Sequence, residues 1–391
     1  MDEACSAVAG RIWRRGPVAL SLALAAAATA WGADPEGEGD DLALATPAMA
    51  AGWDDGRFFL ASEDGRYRLN VGGWIQPRYE FRRTPDGEDT SRFRLRRVRL
   101  NLTGHVFDEA LTFRVMPDLA NDPELWDAWA NYAFDPLVQV RVGQLVVPFH
   151  WHFCVSANRQ HFPERGLAGA QFGVPAGYDL GVLLHGEDEA NRFAWGVGIF
   201  DGSARGTRPR DNTGHLASTR VRWAALGELI AEESDLAQSE QVNVTLAGGA
   251  QGAWRSELRA WDLGRSSAGN ERGEFVTGTV DAVLHWRGLS LVGEGYLRRV
   301  WPDDSAVDAY TGWAYSTGAG WFVLPRRVEV VGRFGQLMLD DSDGATRQRE
   351  WAAGLNLYHR GHRWKTQASY IKYERDAGNE HVWIVQHQLW F

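Results

Sequence analysis

The sequence predicts an all-β fold: a 16-stranded antiparallel transmembrane β-barrel with short periplasmic turns, long outer loops and a third loop folded inward. Three observations carry this expectation. The run His381–Phe391 alternates, with Trp383, Val385, Leu389 and Phe391 on one face and Gln386 and Gln388 on the other. A strand that ends on an exposed aromatic suits a wall with lipid on one side and water on the other. Beyond the first thirty residues, no apolar stretch reaches the roughly 20 residues that a membrane helix needs. An exported chain without such a helix is periplasmic, secreted or an outer-membrane barrel. Finally, sixteen alternating runs are separated by breaks that are short and long in turn, and single-chain bacterial barrels carry an even number of strands.

Residues 1–30 read as a secretory signal peptide. Arg11, Arg14 and Arg15 precede the apolar stretch Val18–Ala28, and Ala28-Thr29-Ala30 places small residues before a cleavage after Ala30. Residues 31–64 read as a flexible acidic lead-in, with Gly and acid filling Pro35–Asp41. The barrel then occupies 65–391. Cys5 falls in the signal and Cys154 is alone beyond it, so no intramolecular disulfide forms. The net charge of −10 argues against a nucleic-acid partner. Residues 1–64 hold 11 acidic and 4 basic residues, so the barrel itself is close to balance.

Alternation and breakers place the strands in order. They are Arg66–Phe81, Ser91–Val106, Leu111–Asp118, Leu125–Phe134 and Val138–Val147. After the long break 148–177 come Tyr178–Gly186, Arg192–Phe200, Leu216–Ala224 and Gln241–Gly249. The last seven are Gly273–Trp286, Leu289–Val300, Ala309–Val323, Val328–Leu339, Gln348–Tyr358, Arg363–Arg375 and His381–Phe391. Tight turns such as Arg287-Gly288 and Gly361-His362 mark the periplasmic side. The break 225–240 is too long for that side. It holds a small periplasmic helix (Leu226, Leu229 and Ile230 share helical spacing) or a displaced strand count.

Alternation also assigns faces. Twelve bases point into the lumen: Arg68, Arg78, Arg97, Arg99, Arg114, Arg141, Arg220, Arg222, Arg298, Arg333, Arg363 and Lys365. Six acids accompany them: Glu80, Asp118, Asp127, Asp281, Glu294 and Glu329. A low-dielectric wall focuses the field of such charges, and this excess attracts small anions. The other reading pairs these arginines with wall acids that merely hold the barrel together. Simple alternation turns Arg92, Arg94 and Arg96 toward lipid, where they meet lipopolysaccharide phosphates, unless a bulge turns them inward.

The break 148–177 is the candidate constriction, because long loops inside compact folds are usually functional. Phe149 and Trp151 pin it to the wall, while Arg159, His161, Glu164 and Arg165 set the charge of the narrowing. The alternative is an outward surface loop. His150, His152 and His161 lack the spacing of a structural zinc site, so no metal and no cofactor is expected.

Several pieces in order then resemble a known family: Phe93-Arg94-Leu95-Arg96-Arg97-Val98-Arg99-Leu100, Leu125-Trp126-Asp127-Ala128-Trp129-Ala130-Asn131-Tyr132, Val140-Arg141-Val142-Gly143-Gln144 with Pro148-Phe149, Phe162-Pro163-Glu164-Arg165, and Gly196-Val197-Gly198-Ile199-Phe200-Asp201-Gly202. The stretch Phe93–Gly202 is similar to the phosphate-selective porins O and P. The resemblance implies a 16-stranded, commonly trimeric outer-membrane porin with anion passage and an inward third loop. Where relatives often carry Lys before the Pro-Phe pair, this chain has Val146, and His150 stands where they have Gly. The fold therefore transfers better than phosphate specificity.

The expectation is passive, anion-preferring diffusion in the outer membrane of a Gram-negative-type cell. The expected partners are outer-membrane lipid and lipopolysaccharide, small anions, barrel-assembly machinery that reads Phe391, and two further copies in a homotrimer. The alternatives are a general non-specific porin and a structural or adhesive barrel with a plugged lumen. No Gly-x-Ser-x-Gly elbow or His-Glu-x-x-His helix points to an enzyme.

Overall fold

The structure is a computed structural model that describes residues 48–54, 56–85, 87–174, 177–203, 214–258, 271–303, 308–339, 346–376 and 378–391. The expected signal peptide 1–30 and residues 31–47 of the lead-in lie outside them. A hairpin of β1 (Met49–Asp54) and β2 (Arg57–Ser62) precedes sixteen longer strands. Nine of these are β3 (Arg68–Arg83), β4 (Thr90–Val106), β5 (Asp108–Asp118), β6 (Glu124–Asp135), β7 (Val138–Val146), β8 (Tyr178–Glu187), β9 (Phe193–Phe200), β10 (Leu216–Leu226) and β11 (Asn243–Leu258). Then follow β12 (Glu271–Trp286), β13 (Leu289–Pro302), β14 (Tyr310–Leu324), β15 (Val328–Leu339), β16 (Thr346–Arg360), β17 (Trp364–Arg375) and β18 (Gly378–Trp390).

Neighbours in sequence pair antiparallel from β3 to β18, and β18 returns to β3 through Trp383↔Phe81 and Leu389↔Ile75. The result is a closed 16-strand antiparallel barrel. Closure leaves no unpaired sheet edge, which lipid would not tolerate. The two faces of β18 separate as the alternation predicts. Trp383, Val385 and Leu389 are 38%, 48% and 47% exposed, whereas Gln386 and Gln388 are 1% and 0% exposed. The Arg287-Gly288 turn has positive φ at both residues, 48° and 83°, the twist that a two-residue hairpin requires.

Four expectations are corrected. The lead-in expected to be flexible carries the β1–β2 hairpin, because Phe58 and Leu60 alternate with residues that pair along β3, Phe58↔Val71 to Ala61↔Arg68. The strand expected to end at Gly249 continues to Leu258; its Gly- and Ala-rich stretch pairs with β12 as regularly as any other. Arg363 lies in the turn between β16 and β17 rather than in a strand, next to the β1–β2 turn at Gly56. Residues 227–242 form no helix. They bury Leu229 at 7% and Ile230 at 4% exposure, and Ile230 packs with Trp151, Val155 and Val283 inside the barrel.

Candidate functional site

The lumen is filled chiefly by the loop between β7 and β8, with its short helices α1 (Trp151–Cys154) and α2 (Leu167–Phe172). Its apolar side chains seat it. Phe149 and Phe172 join a cluster with Phe275, Tyr296, Ala314 and Leu337 on β12–β15. Phe162 packs on Val331, Ala352, Ile371, Val382 and Ile384 of β15–β18. The inward face of β14 offers Gly312, Ala314, Ser316, Gly318 and Gly320, which makes room for this loop. At Gly320, an added Cβ would come within 2.7 Å of the His161 ring and of the Ser290 hydroxyl.

Backbone carbonyls of the loop then capture wall cations. Arg78 donates to the Pro163 carbonyl at 3.1 Å, Arg220 to Phe149 at 3.0 Å and Arg298 to Phe172 at 2.7 Å. Arg333 donates to the Glu164 carbonyl at 3.0 Å and Lys365 to Gln160 at 3.1 Å. In return, Glu294 accepts from the His152 amide at 2.8 Å and Glu350 from the Leu167 amide at 2.7 Å. A buried loop needs such partners, since an unpaired backbone group costs about 1–3 kcal/mol. These five bases point inward as expected, but their nitrogens hold the loop. Arg220 also forks onto Asp281 at 2.7 and 2.9 Å, and Arg333 meets Glu350 at 2.6 Å.

The segment 227–242 rises from the opposite end and meets the loop. Arg222 donates to the Ile230 carbonyl at 2.8 Å. The Glu233 amide donates to the Arg159 carbonyl at 3.1 Å, and the His161 amide to the Glu233 carboxylate at 2.7 Å. Ser234 sits 3.0 Å from Glu329 and 2.8 Å from the Tyr358 hydroxyl. His161, expected to narrow the pore, is instead buried in this junction, with Nε2 2.9 Å from Ser290 and 3.4 Å from Glu329. Burial alone would lower the His161 pKa, but the carboxylates of Glu329 and Glu233 outweigh it and raise it. A raised histidine pKa contributes stability fully below the unfolded value and loses it as pH rises through the folded one. Open-channel current noise should therefore grow as pH rises above the ordinary histidine range and the junction loosens. A His161→Gln variant should show no such pH dependence; an equal response in both proteins would refute the assignment. Burial and the nearby Arg165 hold His152 well below the ordinary histidine range, so it adds no charge at neutral pH.

At the outer end lies the basic cluster that alternation misplaced. The β3–β4 ladder slips between Gln76 and Pro77: Gln76 pairs with Arg97 and Pro77 with Leu95, leaving Arg96 between. Proline has no N–H for the ladder, so the bulge forms there. Beyond it the phase reverses, Phe93 faces out at 85% exposure, and Arg92, Arg94 and Arg96 turn inward. Glu80 then receives Arg92 at 3.1 Å and Arg94 at 2.9 Å, with Arg82 at 3.4 Å and Arg78 at 3.6 Å. Glu164 receives Arg96 at 2.7 Å and bonds Arg78 as well. Arg97 donates to Gln76 at 2.8 Å. Four guanidiniums, those of Arg78, Arg92, Arg94 and Arg96, thus share the carboxylates of Glu80 and Glu164, with Arg82 between Glu80 and Glu380 and Arg97 on Gln76 beside them. Pro77 in the sequence was the available signal for this reversal. Pro117 does the same on β5, where the slip turns Trp126 inward.

The remaining inward bases lie on the wall that the loop does not cover. Arg99 bonds Asp118 at 2.9 Å and lies 3.5 Å from the Trp126 ring. Arg114 bonds Asn101 at 2.8 Å, and Arg141 lies 4.2 Å over Trp129. Arg68 is lower, 3.0 Å from Asp54 and over Phe59. Within the loop, Arg159 and Arg165 are half-buried; Arg165 donates to the Val155 carbonyl at 3.1 Å and lies 4.5 Å over Phe153, and Arg159 lies 5.8 Å from the Trp390 ring. Phe391 is 42% exposed and exchanges backbone hydrogen bonds with Gly73 at 3.0 and 2.7 Å.

The closed barrel has counterparts among known proteins. The family model of phosphate-selective porin O and P matches residues 69–229. The resemblance read from Phe93–Gly202 falls within that span. No curated protein matches the chain. Among solved structures, the chain is similar to an anion-selective porin from Comamonas acidovorans, with TM-score 0.61 and 13% identity over 83% of this chain and 99% of that one. OmpT of Vibrio cholerae in its trimer form gives 0.59 and 12% over 83% and 99%. The outer membrane channel DcaP of Acinetobacter baumannii gives 0.57 and 11% over 85% and 99%. At such identities these likenesses establish the fold, that of outer-membrane porins. With the family match, they place the barrel in the outer membrane of a Gram-negative-type cell.

Proposed function

We propose that this barrel is a passive channel for small anions. The observation that carries the reading is the outer cluster in which four guanidiniums share two carboxylates with Arg97 beside them, because a fixed positive excess in a low-dielectric mouth concentrates anions. Loop arginines Arg159 and Arg165 continue the positive lining deeper in. Phosphate is one solute of this class, not a privileged one: the Lys-rich strands that a phosphate trap favours are absent, with only two lysines in the chain. The reading includes no catalytic step. Its partners are lipid and lipopolysaccharide outside, two further copies in a homotrimer, as the trimer form of the OmpT neighbour suggests, and assembly machinery that reads Phe391.

Reversal potential in a planar bilayer under a KCl gradient tests this directly. The expected result is a potential near the chloride limit, moved toward zero by joint Arg92→Gln, Arg94→Gln and Arg96→Gln substitution. Cation preference in the unaltered protein would refute the proposal. One observation favours a second reading, a plugged structural barrel: the segment 227–242 interlocks with the inward loop inside the lumen. Absence of any conductance would select it.

A further inference from the structure

Arginines on the uncovered wall are stacked on aromatic rings. Arg99 lies 3.5 Å from the Trp126 ring centroid and Arg141 4.2 Å from that of Trp129. Arg165 on the loop lies 4.5 Å from that of Phe153. Arg99 is buried and bonded to Asp118 at 2.9 Å, so its pair braces the wall, and the half-buried pairs are Arg141–Trp129 on the wall and Arg165–Phe153 on the loop. Trp126, Trp129, Phe153, Arg141 and Arg165 are all half-buried, so each keeps some surface toward the lumen.

A small, strongly hydrated inorganic anion gains nothing from an indole or phenyl face. It is served by charge alone, and an aromatic wall costs it hydration. A guanidinium laid over a ring keeps its in-plane N–H groups for an oxygen acceptor, while ring surface stays available to a flat apolar body. Ligand sites that combine aromatic lining with a few placed charges hold amphipathic organic molecules.

We propose that the channel's preferred solutes are planar organic anions, aromatic carboxylates in chemical class, bound transiently by these arginine–aromatic pairs. The inference rests on the anion-channel reading and narrows it. Carboxylate oxygens meet the guanidinium edge, and the ring of the solute lies along the tryptophan or phenylalanine face. Binding at two weak stations, Arg141–Trp129 and Arg165–Phe153, rather than one deep site lets the solute leave again.

Blocking of KCl current by benzoate and by acetate separates ring recognition from charge, since the two carry the same charge. With the purified full chain in a planar bilayer, benzoate should half-block at a concentration about tenfold below that of acetate, as one ring contact of ordinary strength provides. Trp129→Leu should bring the two values close together, and Trp129→Phe should keep most of the difference. Equal half-blocking concentrations in the unaltered protein would overturn the inference. So would an unchanged ratio in Trp129→Leu. If that variant fails to assemble, the comparison in the unaltered protein and in Trp129→Phe still decides. Loss of chloride preference in the same membranes is a separate result: it removes the anion-channel reading itself, whereas chloride preference with equal benzoate and acetate removes only the solute class.

Discussion

Glu164→Gln is expected to raise anion selectivity and to loosen the inward loop at once. The Glu164 carboxylate bonds Arg78 and Arg96 and lies 4.0 Å from Arg94. Burial opposes its ionisation, but Arg78 and Arg96 overcome that and hold it well below the ordinary carboxylate range. A carboxylate with a lowered pKa contributes stability above its unfolded value and loses it only as pH falls through the lowered one. In the unaltered protein the tie therefore persists below the ordinary carboxylate range. Glutamine keeps the shape and removes the charge. Arg78, whose side chain is fully buried, is then left facing Arg96 and Arg97 with one acid fewer. Breaking a buried ion pair from one side costs about 3–5 kcal/mol. The lower end applies here, because Arg78 keeps Gln386 at 2.6 Å and the Pro163 carbonyl. Reversal potential should move further toward the chloride limit, and the loop should become more sensitive to protease. Unchanged selectivity would mean that the cluster does not face the permeation path.

The strands were legible because their two environments differ in polarity at period two. Val328–Leu339 is the same element in the sequence reading and in the structure. The inward direction of Arg97, Arg99, Arg114, Arg141 and Arg220 followed from the same alternation. What alternation does not carry is a change of phase. Arg92, Arg94 and Arg96 were reversed by one residue inserted at Pro77, and Trp126 by another at Pro117. A proline inside a barrel strand is thus a positional warning that faces beyond it reverse. β11 past Gly249 escaped notice because glycine and alanine have too little side chain to mark a face. The use of Arg78, Arg298, Arg333 and Lys365 was not legible at all. Direction into the lumen is local information, but the carbonyls they bind belong to a loop that arrives from far along the chain.

Replacement of residues 227–242 by a two-residue Asn-Gly turn is expected to enlarge the conducting path. β10 and β11 already pair down to Leu226↔Val244, so Asn-Gly together with Asn243 forms a three-residue loop that closes the hairpin. The natural segment does not serve closure. It places Ile230 against Trp151 and Val155 of the loop, and Glu233 against Arg159 and His161. Its Asp235 carboxylate accepts from the Ser239 amide at 3.0 Å and the Gly288 amide at 2.7 Å, which fixes the base of the segment to a neighbouring turn. Glu232 lies 3.3 Å from His362 on a third turn. Sixteen residues held this way form a floor under the inward loop. Their removal takes away the partner of a buried apolar side chain, a loss of about 2–5 kcal/mol for Ile230 alone. Single-channel conductance should rise and current noise should rise with it, because the loop loses its support as the lumen gains volume. Ile230→Ala should produce the noise without the full gain in conductance. Conductance that stays the same after the replacement would show that the segment lies beside the permeation path. Conductance that appears only after it would make the segment a plug.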